Sequence, residues 1–235
     1  MATPFRIVKH LTLPVPPLAV WYAITTAQGL AGWTMPIAPD KDSPLVTDWV
    51  PNEHLAVHVP IGVNGAFQAF DYRIDERADG DVDFTFVHSG ELDWSDEERE
   101  MTELAWDQYM FTLHKFLTTH LARIPAYMEA EAPAHKVGPN GWTALLARLG
   151  LGPAPRVGDA VRIERPGTAT IEGTVDYVTD RFLGIEAPHE LVRFHGRWSI
   201  GLPIAVADHR YLDPDHAVLD VEAERAAWVA WLAEG

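Results

Sequence analysis

Three stretches of the chain alternate apolar with polar side chains, the period expected of β-strands. They cover residues 53–59, 66–75 and 81–88. Phe70 and Tyr72 fall on one face of the second stretch, and Phe84 and Phe86 fall on one face of the third. Successive strands of this kind pair as an antiparallel sheet. The pattern therefore predicts a sheet with one aromatic, apolar face.

Two helical segments and one more strand precede this sheet. The residues RIVKHLTL, 6–13, predict a strand that the following prolines end. A helix is expected from Pro17 to Gly29, since apolar residues recur there near helical spacing and glycine is a common helix stop. A short turn then carries the chain to Trp33.

A long helix follows the sheet. Ser95 is an N-cap candidate three residues before Glu98, and acidic residues crowd the first turn, where the helix dipole favours them. Apolar side chains recur at helical spacing up to about Ile124, before a proline. The apolar face is broad enough for the helix to lie across a sheet.

The rest of the chain predicts a second, smaller α+β unit. Residues 126–140 mix alanine, proline, glycine and charge, which is typical of a linker and makes residues 1–125 the first domain. Residues 141–235 then contain a short helix, five strand-like runs (160–164, 170–178, 183–186, 191–194 and 204–207) and a final helix, VEAERAAWVAWLA. Both units read helix, strands, helix. The second is either a degenerate repeat of the first or an independent α+β unit with similar patterning.

Composition excludes several classes of function. The formal charge of −16, from 18 basic and 34 acidic residues, repels phosphate backbones and anionic lipid surfaces, so we expect no nucleic-acid partner. The chain has no cysteine, which excludes disulfides, thiolate metal sites and cysteine nucleophiles. No apolar run reaches the roughly 18 residues of a membrane-spanning helix, and the N-terminus lacks a signal-peptide pattern. We therefore expect a cytoplasmic protein without membrane insertion.

Motifs for cofactors and metals are also missing. The sequence has no GxSxG, GxxxxGK[ST] or GxGxxG pattern, and we expect no cofactor. His54 and His58 have the spacing HLAVH, but on a strand they lie about 13 Å apart at about 3.3 Å per residue. That distance is too long for one shared ion, so the sequence predicts no metal site.

Two segments resemble a known superfamily. The stretch VPPLAVWYAITTAQGLAGW near the start and ELAWDQYMFTLHKFL in the long helix are similar to the START-like SRPBCC superfamily, in its branch related to the activator of the 90-kDa heat-shock-protein ATPase. The resemblance covers about residues 5–122. It implies a helix-grip fold, in which a curved antiparallel sheet wraps a long C-terminal helix and leaves an apolar cavity. Residues 126–235 go beyond this pattern.

The implied cavity would be lined from the apolar sheet face and the long helix, with Trp33 at its mouth. The candidate ligand-binding residues are Trp33, Leu55, Val57, Phe70, Tyr72, Phe84, Phe86, His88, Trp106, Tyr109, Met110 and Leu113. Large aromatic rings with a few polar tips suit a hydrophobic or aromatic ligand. The alternative is that the same side chains simply fill a core.

His88 and Tyr72 are weak catalytic candidates. A partly buried imidazole can titrate near neutrality and act as an acid or base, and Tyr72 with Gln68 could orient a carbonyl group beside it. The alternative is a histidine with a purely structural role.

Three functions are consistent with these features. The first is binding of a small hydrophobic or aromatic molecule, such as a lipid or a polyketide. The second is a cofactor-independent enzyme of the aromatase/cyclase type, and the third is a cochaperone that activates an ATPase; both follow from the resemblance alone. Residues 141–235 could act as a lid, as a homodimer surface or as a surface for a protein partner.

Overall fold

The computed structural model describes residues 2–62, 65–216 and 218–234. The chain divides into two compact units, Met1–Ala122 and Arg123–Gly235. We refer to them as unit 1 and unit 2. In the described residues, no helix combines the length and the apolar character that a membrane span requires.

Unit 1 has a five-stranded sheet, with a helix pair between its first two strands and a long helix after its last strand. Its elements are β1 (Thr3–Leu13), α1 (Pro17–Thr25), α2 (Ala27–Ala31), β2 (Val46–Val50), β3 (His54–Ile61), β4 (Ala66–Glu76), β5 (Val82–Leu92) and α3 (Asp96–Lys115), which continues into a π-helical turn (Phe116–His120). The strands pair antiparallel in the order β1-β5-β4-β3-β2. The sheet is open, because β1 and β2 form its two edges.

The GL-x-x-W segment, residues 29–33, begins inside α2 and ends just after it. A Cβ atom on Gly29 would lie 2.1 Å from the carbonyl oxygen of Tyr22, so only glycine allows this approach of the two helices. The Trp33 side chain is 1% exposed, and its Nε1 donates to the carbonyl oxygen of Ala23 at 2.9 Å. The glycine and the tryptophan of this motif therefore hold the helix pair together.

The long helix begins as the sequence predicts and ends earlier. Ser95 and Glu98 form a capping box: the Glu98 backbone N–H donates to Ser95 Oγ at 3.2 Å, and the Ser95 backbone N–H donates to Glu98 Oε2 at 2.7 Å. The helical segment ends at His120, whereas the expected end was near Ile124. Ile124 instead begins a strand, because Pro125 cannot supply the N–H that a helix needs.

Unit 2 has a comparable order of elements. They are β6 (Ile124–Glu131), α4 (Pro139–Arg148), β7 (Ala160–Ile163), β8 (Ile171–Val178), β9 (Phe182–Ala187), β10 (Glu190–His195), β11 (Ala205–Leu212) and α5 (Val221–Ala233), with single 3-10 turns at Ala134–Lys136, Trp198–Ile200 and Pro214–His216. The strands pair antiparallel in the order β6-β11-β10-β9-β8-β7. In both units the first strand pairs with the last.

The predicted linker over 126–140 differs from the structure. Residues up to Glu131 belong to β6, which pairs along its whole length with β11. Met128 and Ala130 are buried while Glu129 and Glu131 are exposed, which is the alternation of an edge strand with one covered face. The alanines and glutamates of this stretch concealed that period. Unit 2 therefore starts at Arg123.

The expected fold class is confirmed. The chain is α+β, and both of its sheets are antiparallel, curved and open. In unit 1 the long helix follows the last strand and packs on the sheet, with the Trp106 ring 4.2 Å from the Phe86 ring between centroids. This is the helix-grip arrangement.

Candidate functional site

The sheet residues predicted to bind a ligand share one face of unit 1. Directly paired residues of an antiparallel sheet point the same way, and the register pairs Leu55 with Tyr72, Tyr72 with Phe86, and Phe70 with His88. Because α3 packs on these side chains, we call this surface the helix-side face of unit 1.

Trp106 is the centre of the contacts between α3 and this face. Its ring centroid lies 4.2 Å from that of Phe86, 5.5 Å from that of Tyr109 and 6.3 Å from that of Phe70. The rings meet at angles of 46° to 68° and none is stacked face to face, which is the geometry that aromatic pairs prefer. The helix and the sheet are thus joined by one aromatic cluster.

His88 is buried beneath Trp106, and both of its ring nitrogens are occupied. The indole Nε1–H of Trp106 donates to Nδ1 at 3.0 Å, and Nε2 lies 2.9 Å from Gln68 Oε1. An indole can only donate, so Nδ1 is the acceptor, and the proton of the neutral ring is on Nε2, which donates to Gln68. The side chain is 3% exposed, and burial lowers the pKa of His88 to about 4. The ring is therefore neutral at neutral pH.

Two further aromatic residues enclose His88. The Phe5 ring meets the imidazole edge to face at 4.9 Å, and the Trp94 ring lies 5.9 Å from it. Phe5 fits because its partner across the sheet is Gly90, where a Cβ atom would be 2.9 Å from the Phe5 ring. These two residues are not among the candidates predicted from the sequence. The alternation of β1 places Phe5 on the helix-side face, whereas Trp94 follows β5 in a loop and carries no periodic signal.

Exposure divides the predicted ligand-binding residues into two sets. The buried set consists of Trp33, Leu55, Phe84, Phe86, His88, Met110 and Leu113. The partly exposed set consists of Val57, Phe70, Tyr72, Trp106 and Tyr109. The second set comes from β3, β4 and α3. We call it the open aromatic set.

Tyr72 offers a neutral hydroxyl group. Tyr72 is partly exposed as a whole residue, but its hydroxyl group is buried, and this burial raises the pKa of the phenol above its ordinary value, so it remains protonated at neutral pH. Tyr72 and His88 lie diagonally across β4 and β5, a position that separates residues by about 7 Å. They do not form a direct pair. The face therefore offers one neutral imidazole with both nitrogens in use and one neutral phenol.

His54 lies on the opposite face of the same sheet. Its Nδ1 is 2.7 Å from Asp48 Oδ2, and its Nε2 is 2.9 Å from Asp71 Oδ2. His58 stacks on Phe67 at 4.7 Å between centroids. The two histidines thus have separate partners. No group of three or more metal-ligating side chains is suitably placed in the part of the chain that the structure describes.

Unit 2 places a different kind of residue under the tryptophan of its last helix. The indole Nε1–H of Trp228 donates to Asp208 Oδ2 at 2.8 Å. The Arg165 guanidinium lies 4.4 Å from the centroid of the Trp228 ring and 2.9 Å from Glu224. Arg210 contacts Glu224 at 3.0 Å as well. The space under α5 is therefore filled by an ionic cluster.

The hydrophobic part of that space is filled too. Phe194, Trp228 and Trp231 are buried and contact one another with centroids 5.6 to 6.0 Å apart. They belong to a core that includes side chains of α4 and of the strands β6 to β11. Unit 2 thus has no counterpart of the open aromatic set among these residues.

Comparisons with known proteins add similarities of low score. No family model matches the chain, and no curated protein matches it. Among solved structures, DynU16, a protein from the dynemicin biosynthetic locus, is 14% identical, with 97% of this chain and 96% of that chain covered and a TM-score of 0.39. CV1439 from Chromobacterium violaceum is 18% identical over 48% of this chain and 96% of its own, with a TM-score of 0.39.

Aha1 from Colwellia psychrerythraea, solved as a dimer, is 16% identical over 49% of this chain and 97% of its own, with a TM-score of 0.33. Scores this low carry no argument about function or partners. The helix-grip arrangement of unit 1 follows from its own strands and helix. The assignment to the START-like superfamily, and to one of its branches, stays a prediction.

Proposed function

We propose that unit 1 binds a small hydrophobic or aromatic molecule on its helix-side face, against the open aromatic set. The observation that carries this proposal is the partial exposure of four aromatic side chains, Phe70, Tyr72, Trp106 and Tyr109, around one junction of sheet and helix. Partly exposed aromatic rings grouped on a folded surface are a common feature of ligand sites.

The hydrogen bond from Trp106 to His88 supports this proposal, because it fixes the ring that a ligand would contact. The indole is held at its nitrogen by His88 and at its face by Phe86, while part of the ring stays exposed. A ring that is already ordered loses little side-chain entropy when a ligand packs on it.

The state of His88 favours binding over acid–base chemistry at this position. A general base needs a free lone pair, and the Nδ1 lone pair of His88 already accepts from Trp106. Burial also lowers the pKa of His88 to about 4, below the near-neutral value that suits a general base. An enzyme of the aromatase/cyclase type would therefore have to use other groups, and no contact described here favours the cochaperone reading.

Binding is tested with the uncharged aromatic probe N-phenyl-1-naphthylamine, whose fluorescence rises in apolar sites. We expect Val57→Trp to weaken binding by at least tenfold, because the new ring occupies the space beside the open aromatic set. Val87→Trp is the matched control: Val87 is also partly exposed and lies on the other face of the same sheet. Equal binding by both variants would exclude this site. Native mass spectrometry of the purified protein then identifies any bound molecule.

A further inference from the structure

A cavity lies within unit 2, between α4 and the last turn of α5. Its volume is about 510 Å³, which is within the range of small-molecule sites. Apolar side chains form its floor, namely Ala132, Ala144, Leu145, Ile204 and Leu232. Leu145, Ile204 and Leu232 are buried, whereas Ala144 is exposed at the rim. The cavity therefore has an apolar interior that opens to solvent.

Two cations border this cavity and are held in place. Lys136 Nζ donates to the carbonyl oxygens of Leu232, Ala233 and Glu234 at 3.1, 2.9 and 2.9 Å. These contacts complete the end of α5, where carbonyl groups lack helical partners and carry partial negative charge. The Lys136 ammonium group is therefore bound to the C-terminal end of α5.

Four contacts hold the Arg148 side chain. Its guanidinium lies 4.1 Å from the centroid of the Trp231 ring, and its Nη1 donates to the carbonyl oxygens of Trp231 and Glu234. Its Nη2 donates to the Glu234 carboxylate, with Oε2 at 2.9 Å. The stacking and the carbonyl contacts fix the guanidinium plane, so the edge with Nη2 faces a carboxylate.

The Glu234 carboxylate can be replaced at low cost. Its side chain is 63% exposed, and an exposed ion pair contributes little to stability. A carboxylate from another molecule could take its position on Arg148 Nη2 while the contacts to Trp231 remain. The hydrogen bond from Nη2 to a carboxylate is charge-assisted.

We propose that this cavity binds a small amphipathic carboxylate, with its apolar chain on Leu145, Ile204 and Leu232 and its carboxylate on Arg148. The apolar floor and the fixed Arg148 guanidinium both border this cavity. A molecule therefore needs both an apolar part and an anionic end to contact them together. Glu234 occupies the anion position in the unliganded chain. The site is independent of the helix-side face of unit 1.

The first test compares three probes by isothermal titration calorimetry. Octanoate has both the chain and the charge, octanol has the chain alone, and acetate has the charge alone. We expect octanoate to bind at least tenfold more tightly than either of the others. Equal binding of octanol and octanoate would overturn the role of Arg148, and equal binding of acetate and octanoate would overturn the role of the apolar floor.

The second test uses paired variants with octanoate. Glu234→Gln removes the competing carboxylate and should tighten binding by about threefold or more, whereas Glu222→Gln, at an exposed position at the other end of α5, should change nothing. Ala144→Trp should weaken binding at least tenfold, and Ala147→Trp, also exposed on α4, should not. If either pair behaves alike, the proposed site is wrong. The Val57→Trp variant should bind octanoate as tightly as the wild-type protein does. This result distinguishes the site in unit 2 from the proposed site in unit 1.

Discussion

In unit 1 the tryptophan of the last helix donates its indole N–H to a neutral histidine, whereas in unit 2 it donates to a carboxylate. The two acceptors, His88 and Asp208, each lie on the strand that comes last along the chain in their unit, and this strand pairs with the first one. The contact between helix and sheet is the same, but its surroundings differ. His88 is enclosed by aromatic rings, and Asp208 is enclosed by arginines and carboxylates.

The difference shows how one arrangement of strands and helix can be left open or filled. Unit 1 keeps partly exposed aromatic side chains beside its indole, while unit 2 fills the corresponding space with Arg165, Phe194 and Trp231. The shared strand order and the shared indole contact support the proposal that unit 2 is a degenerate repeat of unit 1.

The largest expected effect in unit 2 comes from breaking its ionic cluster. Arg165→Met removes a guanidinium that is 0% exposed and leaves Glu224 and Asp208 with less compensation. Loss of one partner of a buried ion pair costs about 3–5 kcal/mol. We expect the free energy of opening of α5, measured by hydrogen exchange, to fall by this amount, with little change in α3. Arg162→Met, at an exposed site, is the control. If both variants lower the free energy of opening of α5 equally, the buried cluster contributes no more to stability than an exposed ion pair does.

The two indole contacts should differ in strength. Trp228→Phe removes a hydrogen bond to a carboxylate, which is worth about 1.5–3 kcal/mol, and Trp106→Phe removes one between neutral groups, worth about 0.5–1.5 kcal/mol. Urea denaturation of each variant measures the loss. Trp198→Phe, which keeps its ring contact with Trp142 and loses no hydrogen bond shown here, is the control. A larger loss for Trp106→Phe would contradict the contrast between the units.

Acid should destabilise unit 1 and should act on unit 2 through two opposing groups. The pKa of His88 is lowered to about 4, so its contribution to the stability of unit 1 is present above pH 6.5 and is lost as pH falls towards 4. In unit 2, the pKa of Glu190 is raised to about 7, by burial first and then by the negative charge of Asp208, so its contribution is present below pH 4.5 and is lost as pH rises towards 7. The pKa of His195, also in unit 2, is lowered to about 3, mainly by burial, so its contribution is present above pH 6.5 and is lost as pH falls.

Hydrogen exchange free energies, measured between pH 7 and pH 5 and corrected for intrinsic rates, check this prediction. On acidification, α3 should lose protection, whereas in α5 the gain from Glu190 is opposed by the loss from His195. Glu190→Gln should remove the gain, so that α5 of the variant loses more protection on acidification than α5 of the wild type, while α3 responds as before. An α5 response that is the same in Glu190→Gln and in the wild type would show that Glu190 does not contribute to the pH dependence.

The smallest expected effects come from the feature that the units share most closely, the N-cap of the last helix. Ser95 caps α3 and Asp220 caps α5, each by accepting from the backbone N–H three residues later. Replacing either cap with alanine costs about 1 kcal/mol. We expect Ser95→Ala and Asp220→Ala to lower the free energy of opening of their own helices by similar amounts. A difference above about 1 kcal/mol between them would mean that the caps are not equivalent.

Local signals predicted much of this fold. The segment VEAERAAWVAWLA is α5 from its first residue to its last, and Ser95 caps α3 as its spacing with Glu98 indicates. The alternation of residues 66–75 and 81–88 identified β4, most of β5 and their apolar face. β5 continues beyond residue 88 through Ser89 and Gly90, because its pairing with β1 and β4 extends to Leu92 and Glu91.

Elements whose stability comes from distant residues were missed. β2, with the sequence VTDWV, is a short edge strand that follows a proline-rich and aspartate-rich stretch, and it is fixed by its pairing with β3. β6 depends on β11, some eighty positions later. In the candidate site, periodicity identified the correct face but could not show which side chains remain exposed. The contact of Trp106 with His88 joins two elements and has no local signature.

The pairing of first strand with last also sets the order in which each unit can fold. Thr3 pairs with Leu92, and Ile124 pairs with Leu212, so each opening strand has no partner in its own sheet until nearly all of its unit has been synthesised. Contacts between residues so far apart in sequence slow folding, because a long loop must close before they form. During synthesis on the ribosome, β1 and β6 each remain unpaired until the strand that pairs with them has been made.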